Sequence, residues 1–341
     1  MKHFSRNTRI PAAGKGCETK MGVYLNSTSA YGLFRRDYES AYFVDKSSIL
    51  AQLVPLVETD KSRIEKSSLN QEKGQKYVAI TRPRRFGKSF AAQMLCAYYD
   101  KTCDSSHLFE GKDISKEEDY QKYLNKYDVI YVDMTYIKPF TNHYRTFVDY
   151  LSGKITEELM RAYPELSVSN ELPEMMIHAV ELTGNKFIMI IDEWDAPIRD
   201  AKGRSGLQQK YLEFLRSLFK NSGMTSKIFA AAYMTGILPI KKDGSQSAIS
   251  DFSEYSMIKP RQFEEYVGFT EKEVKRLCRE YDSDFNKMKQ WYDGYSFRDL
   301  PSVYNPNSVI KAIRNSDFDS YWTQTSAAES LMGYISLDFD G

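Results

Sequence analysis

Gly87, Lys88 and Ser89 stand together at the start of a helical pattern, after the apolar run YVAIT at 77–81 and the stretch Arg82, Pro83, Arg84, Arg85, Phe86. A strand, a tight loop, Gly-Lys-Ser and a helix N-terminus together form an anion cradle, in which backbone N–H groups and the helix dipole hold phosphate oxygens. In such a cradle Gly87 has no Cβ to obstruct that approach, Lys88 is expected to reach the β- and γ-phosphates, and the Ser89 hydroxyl to ligate Mg²⁺. The common G-x-x-x-x-G-K-[ST] pattern puts its first glycine at position 82, which is Arg82 here. On the tripeptide alone, a basic loop entering a helix is the competing reading.

A second chemical element lies a hundred residues on. The run FIMII at 187–191 ends in Asp192 and Glu193. A phosphoryl-transfer site needs a carboxylate for Mg²⁺ and a base to orient the attacking water; Asp192 suits the first role and Glu193 the second. Two readings stand for Asp195, support of the metal shell or a surface salt bridge with Arg199. Two also stand for Thr235, contact with the γ-phosphate or attacking water, or capping of its own loop. Asp133 ends another apolar run and is a further candidate for the same cleft.

These residues need a scaffold that brings them to one edge. Four short, near-continuous apolar runs (77–81, 129–132, 187–191 and 228–234) predict strands buried on both faces, as in a parallel sheet. Between them lie helical stripes, such as Phe147, Leu151, Ile155 and Leu159, then Tyr211, Phe214, Leu215, Leu218 and Phe219. Strand–helix alternation predicts an α/β fold with helices on both sheet faces, and ligands at the carboxyl ends of its strands. Asp45 is read as the N-cap of a helix carrying Ile49, Leu50, Leu53, Val54 and Val57, and 61–76 as a loop. A fifth strand is expected at 255–258, and Thr270 to Glu273 has the form of a capping box. The expected organisation is a mobile segment at 1–21, a core at 22–255, and a small, mostly helical, aromatic-rich lid at 256–341.

Composition narrows the classes. The 341 residues carry 47 basic and 46 acidic side chains, so net charge gives no support for nucleic-acid binding. Aromatics make up 14%; Trp291, Tyr292, Tyr295, Phe297, Tyr304, Tyr321 and Trp322 mark the aromatic-rich lid, and the cluster from Trp291 to Tyr304, beside Gly294 and Pro306, fits core packing better than base stacking. The four cysteines and four histidines show no metal-ligand spacing, and the cysteines read as ordinary thiols of a reducing cytosol. No secretory signal and no apolar run of ~20 residues is present, so the expectation is a cytoplasmic protein without a membrane span.

The segments YFVDKSSIL, ITRPRRFGKSF, IIDEWDAPI, MTGILPI and WYDGYSF…VYNPNSVI resemble the bacterial AAA-ATPase-like proteins, from about Gly22 onward. That family writes its loop R-P-R-R-x-G-K-[ST], so Arg82 fits the pattern. The resemblance implies an ASCE-type P-loop NTPase fold, ATP bound at residues 82–89, a Walker-B-like pair at Asp192 and Glu193, and Thr235 near the sensor position. It favours ATP over GTP. Such proteins often continue into a PD-(D/E)XK nuclease-like domain; the last hundred residues hold no complete D…(D/E)xK set, so nuclease activity is not carried over. The expected function is Mg-ATP hydrolysis driving a conformational or partner-binding switch, with a protein partner or self-association left open. The alternatives are a nucleotide-gated scaffold with negligible turnover and the ATPase half of a nuclease-linked defence protein. For Arg84 and Arg85 three roles stand: phosphate charge in cis, contact with a neighbour, or binding of acidic partners.

Overall fold

A computed structural model describes residues 22–53, 76–135, 144–200, 205–220, 222–240, 242–243, 246–247, 249, 251–295, 300 and 302–321. Its centre is a parallel sheet of five strands: β1 (Tyr77–Thr81), β2 (Asp128–Asp133), β3 (Phe187–Asp192), β4 (Phe229–Gly236) and β5 (Ser253–Tyr255). Their spatial order is β2-β3-β4-β1-β5, and every adjacent pair is parallel. All five carboxyl ends therefore reach the same edge. The first four expected strands fall within two residues of their predicted bounds. The fifth does not: it lies at Ser253–Tyr255, not 255–258, because only its Tyr255 is fully buried and no long apolar run marks it.

Alternate side chains of each strand enter opposite cores, which is why the runs read as continuously apolar. One face takes Val78, Ile80, Val129, Tyr131, Ile188 and Ile190. Over it lie α1 (Thr28–Tyr38) and α2 (Lys88–Tyr99), where Phe34 meets Phe90 at 5.5 Å between ring centroids. The other face takes Ala79, Ile130, Val132, Met189 and Ile191. It packs against α3 (Tyr144–Ala162) and α5 (Ser205–Phe219) through the two predicted stripes, including Leu151, Ile155, Leu159, Tyr211 and Leu215, and against α4 (Leu172–Thr183) through Met175, Met176 and Ala179.

The exposed side of β2 is covered rather than left open. Residues 24–26 lie antiparallel to it, with Asn26 N–H donating to Val129 O at 2.7 Å and Tyr131 N–H to Tyr24 O at 2.9 Å. Buried Glu158 on α3 accepts the N–H groups of Val23, Tyr24 and Leu25 at 2.7–3.0 Å, fixing this segment. Asp45 does not cap a helix. It closes a turn by accepting Ser47 N–H at 2.9 Å and reaches Asp113 N–H at 2.9 Å, while the helix shortens to Ile49–Gln52. Val54 and Val57 of the predicted stripe lie outside the described residues.

Beyond β5 the described chain forms a small antiparallel sheet of β6 (Phe269–Thr270), β7 (Asp293–Tyr295) and β8 (Val303–Tyr304). With it come α6 (Glu271–Glu280), α7 (Phe285–Tyr292) and α8 (Pro306–Asn315). The capping box forms, with Thr270 Oγ1 accepting Glu273 N–H and Glu273 accepting Thr270 N–H. Tyr292, Tyr304 and Tyr321 are buried with Val274, Leu277 and Met288 in a core of their own, while Trp291 is 43% exposed. Phe297 and Trp322 lie outside the described residues. Val44 belongs to this core, and buried Lys46 donates to Glu273 at 2.7 Å and to Glu265 O, so residues 41–46 bind this unit. Cys96 and Cys278 are free and buried, whereas Cys103 is disulfide-bonded, a departure from the reading of all four as thiols. No helix among the described residues is long and apolar enough to cross a membrane.

Candidate functional site

The parallel registers bring the sequence-predicted residues to one edge. Ile80 pairs with Thr235, Thr81 with Gly236, and Asp133 with Asp192, so the strand carrying Thr235 separates the loop-bearing strand from the acid-bearing one. After β1 the chain turns through Arg85 at φ 68° and Gly87 at φ 89° before α2 begins at Lys88. The left-handed backbone at Gly87 is cheap only without a Cβ. It lets the loop double back onto the helix N-terminus.

Arg82 does not point along this loop as a free cation. The residue is 1% exposed, and its guanidinium donates to the carbonyls of Thr81 (3.0 Å), Tyr255 (3.0 Å) and Phe263 (3.4 Å), tying the loop's base to β5 and the turn beyond it. Burial lowers its pKa to about 10. Phe86 is also buried, edge-on to Tyr295 at 5.1 Å, and Asn305 donates to Arg84 O at 3.3 Å. Pro83 supplies a carbonyl that Lys88 Nζ meets at 3.2 Å. Arg85 is exposed and Arg84 half-buried.

Lys88, 4% exposed, reaches across to the acidic strand end, where its Nζ lies 3.2 Å from Glu193 Oε1. Asp192 is buried and accepts hydrogen bonds from Thr235 Oγ1 and, at 3.1 Å, from Glu193 N–H. Burial, reinforced by Asp133 and Glu193, pushes its carboxyl up to about 6 against the pull of the Ser89 and Thr235 hydroxyls. Thr235, 0% exposed, donates to Asp192 and accepts Glu193 N–H at 3.2 Å, so its hydroxyl sits on the acidic pair. Asp133 accepts from Thr135 N–H and Oγ1, closing its own turn.

Glu193 takes φ 51°, an uncommon conformation for a residue with a Cβ. Its second oxygen, Oε2, accepts from Arg199 Nη2 at 2.6 Å. Arg199 Nε lies 2.9 Å from Asp195 Oδ2, an ion pair by distance that is not aligned as a hydrogen bond. Asp195 is wholly buried and accepts the N–H groups of Ile237 (3.2 Å) and Leu238 (2.9 Å), which fastens the loop after β4 to the acidic segment. Burial raises its pKa despite Arg199. The sequence suggested the Asp195–Arg199 pair but gave no sign of Arg199 on Glu193. Six residues of separation match no helical neighbour spacing, and the contact depends on the left-handed turn at Glu193.

The arrangement is a loop with a buried lysine facing an acidic strand end across a hydroxyl-bearing strand. A family model described as AAA-ATPase-like, predicted AAA-ATPase, matches residues 34–245. The chain belongs to that family. The strand order and the two motifs give the AAA-ATPase-like chain a P-loop NTPase fold, a parallel sheet flanked by helices. An uncharacterized protein encoded in the vnfD 5′ region of Azotobacter chroococcum mcd 1 is 22% identical over 309 residues, covering 88% of this chain and 54% of its own length. The chain thus spans about half the length of that curated relative. Among solved structures, one of katanin self-assembly aligns at 10% identity and TM-score 0.35, over 89% of this chain and 78% of that one. The ORC2 protein of Aeropyrum pernix, in ADPNP–ADP complexes, aligns at 9% and 0.34, over 93% and 71%. PCH-2 of C. elegans aligns at 9% and 0.30, over 92% and 64%. At such scores the fold assignment rests on strand order and motifs.

Proposed function

We propose that this AAA-ATPase-like chain binds Mg-ATP at residues 82–89 and hydrolyses it, with Glu193 as the base. The observation that carries the reading is the meeting of Lys88 and Glu193 at 3.2 Å over Asp192, Ser89 and Thr235. Phosphate chemistry needs a cation for the transferred group, a carboxylate–hydroxyl pair for the metal, and a base, all at one point. The residues present fit Mg²⁺: Asp192 is a buried carboxylate that no cation pairs with among the described residues, and the Ser89 hydroxyl draws its pKa down. Asp192 and Ser89 would hold the ion, which when bound offsets the negative charge of the phosphates. Backbone N–H groups from Arg84 to Ser89 cradle the phosphates, and Lys88 exchanges Glu193 for a phosphate oxygen. Thr235 and Asp192 orient Glu193 through its backbone N–H.

Residues 256–341 are the reader of this state in our proposal, because Tyr295 and Asn305 touch the loop directly. A protein partner or a second copy of the chain is the further receiver, in a cytoplasmic setting. Turnover by Glu193→Gln tests the role of the base. ATP affinity is expected to hold within about threefold while kcat falls ~10²-fold or more. Turnover by Glu193→Gln at the wild-type rate would remove Glu193 from the mechanism.

A further inference from the structure

We infer that Arg199 is a positioning residue that anchors one oxygen of Glu193, so that phosphate capture by Lys88 uncovers the other as the proton acceptor. This rests on the ATPase reading of the site. The two oxygens of Glu193 are held by different cations: Oε1 by Lys88 Nζ at 3.2 Å and Oε2 by Arg199 Nη2 at 2.6 Å. While both contacts stand, each oxygen has a cation in the place where a water would approach.

The two cations differ in what they are tied to. Lys88 is a single ammonium on a flexible stem, held otherwise by Pro83 O at 3.2 Å. A phosphate carrying more than one negative charge competes for it with advantage over a single carboxylate. Arg199 presents a planar fork, and beside the Nη2 that holds Glu193 its Nε lies 2.9 Å from Asp195 Oδ2. Asp195 is in turn locked by the Ile237 and Leu238 N–H groups and is 0% exposed. Arg199 therefore stays when Lys88 leaves.

The asymmetry supplies order to the reaction. With Lys88 on phosphate, Oε1 faces the site unblocked, while Oε2 and the backbone N–H of Glu193 keep their partners. Water then attacks the γ-phosphorus, its proton passes to Oε1, and the bond from that phosphorus to the β,γ-bridging oxygen breaks. The electron pair of that bond leaves on ADP, and Glu193 returns the proton to solvent or to the released phosphate. Without nucleotide the base stays capped.

The test uses the full chain with Arg199→Ala and Arg199→Lys, measuring ATP affinity by titration, kcat and KM by phosphate release, and thermal melting. The expected result is an ATP Kd within about twofold of wild type for both variants, with kcat of Arg199→Ala down ~10²-fold and partly restored in Arg199→Lys. Loss in kcat without loss in affinity is not what a merely structural arginine produces. Arg199→Ala turning over at or above the wild-type rate would overturn the inference, as would parallel losses of affinity and kcat in both variants. If Arg199→Ala does not fold, the same split between affinity and kcat is read from Arg199→Lys alone. If wild type neither binds nor hydrolyses ATP, the underlying reading fails; if wild type turns over and Arg199→Ala matches it, this inference alone falls.

Discussion

Burial holds the Asp192 carboxyl at about 6 rather than 3.8, a difference worth roughly 3 kcal/mol between its protonation states. The sign follows from linkage. Between pH 4 and 6 the folded chain binds a proton that the unfolded chain has released, so this group's contribution to stability falls as pH rises through that window. Above about pH 6 the full cost of a buried anion is present. Asp192→Asn is therefore expected to melt higher than wild type at pH 7.5 without nucleotide, with the difference shrinking toward pH 4. Urea unfolding of both proteins at the two pH values checks this; a difference independent of pH would show that Asp192 is not the titrating group. On the proposed reading the same substitution is expected to weaken Mg-ATP binding, an exchange of function for stability common at sites built on buried charge.

At the scale of elements, the site is precise because three strand ends and one helix start are pinned to each other. Gly236, at the end of β4, is where the pinning is tightest: an added Cβ would lie 2.5 Å from Trp194 Cδ1 and 2.8 Å from Asp195 Oδ1. Gly236→Ala is expected to cost ~1–3 kcal/mol in urea unfolding and to displace the acidic segment. Unchanged stability would mean that Trp194 moves aside freely. The four buried strands were legible because both faces of each are apolar, leaving runs such as FIMII that hardly fit another element. Loop and acid motifs were legible for the same reason, since each follows such a run directly. The edge strand β5 was not, because its residues Ser253 and Glu254 are only partly buried and its place is set by pairing with Val78, Ala79 and Ile80. Arg82 was read as a ligand-facing residue, and its contacts with Tyr255 O and Phe263 O arise from chain brought back some 170 residues later. Pattern along a sequence carries no trace of such a contact.

Over the whole molecule, the loop at 82–89 lies between the sheet and the C-terminal unit. Phe86 rests on Tyr295, Asn305 holds Arg84 O, and Lys46 with Glu273 closes the N-terminal side of the same unit. These direct contacts with the loop are the basis for proposing 256–341 as the reader. Tyr295→Ala removes an edge-to-face contact worth ~0.5–1.5 kcal/mol, so ATP affinity is expected to drop ~2–10-fold although Tyr295 touches no proposed ligand. Affinity equal to wild type would uncouple the unit from the loop.

The central claim is that residues 82–89 form a nucleotide site with Lys88 as its cation. The most direct measurement is a titration of wild type and Lys88→Ala with Mg-ATP, followed by calorimetry or by protection against heat. The account predicts saturable binding by wild type, a rise in melting temperature with ATP concentration, and neither in Lys88→Ala at the same concentrations. Wild type and Lys88→Ala responding alike to Mg-ATP would contradict it.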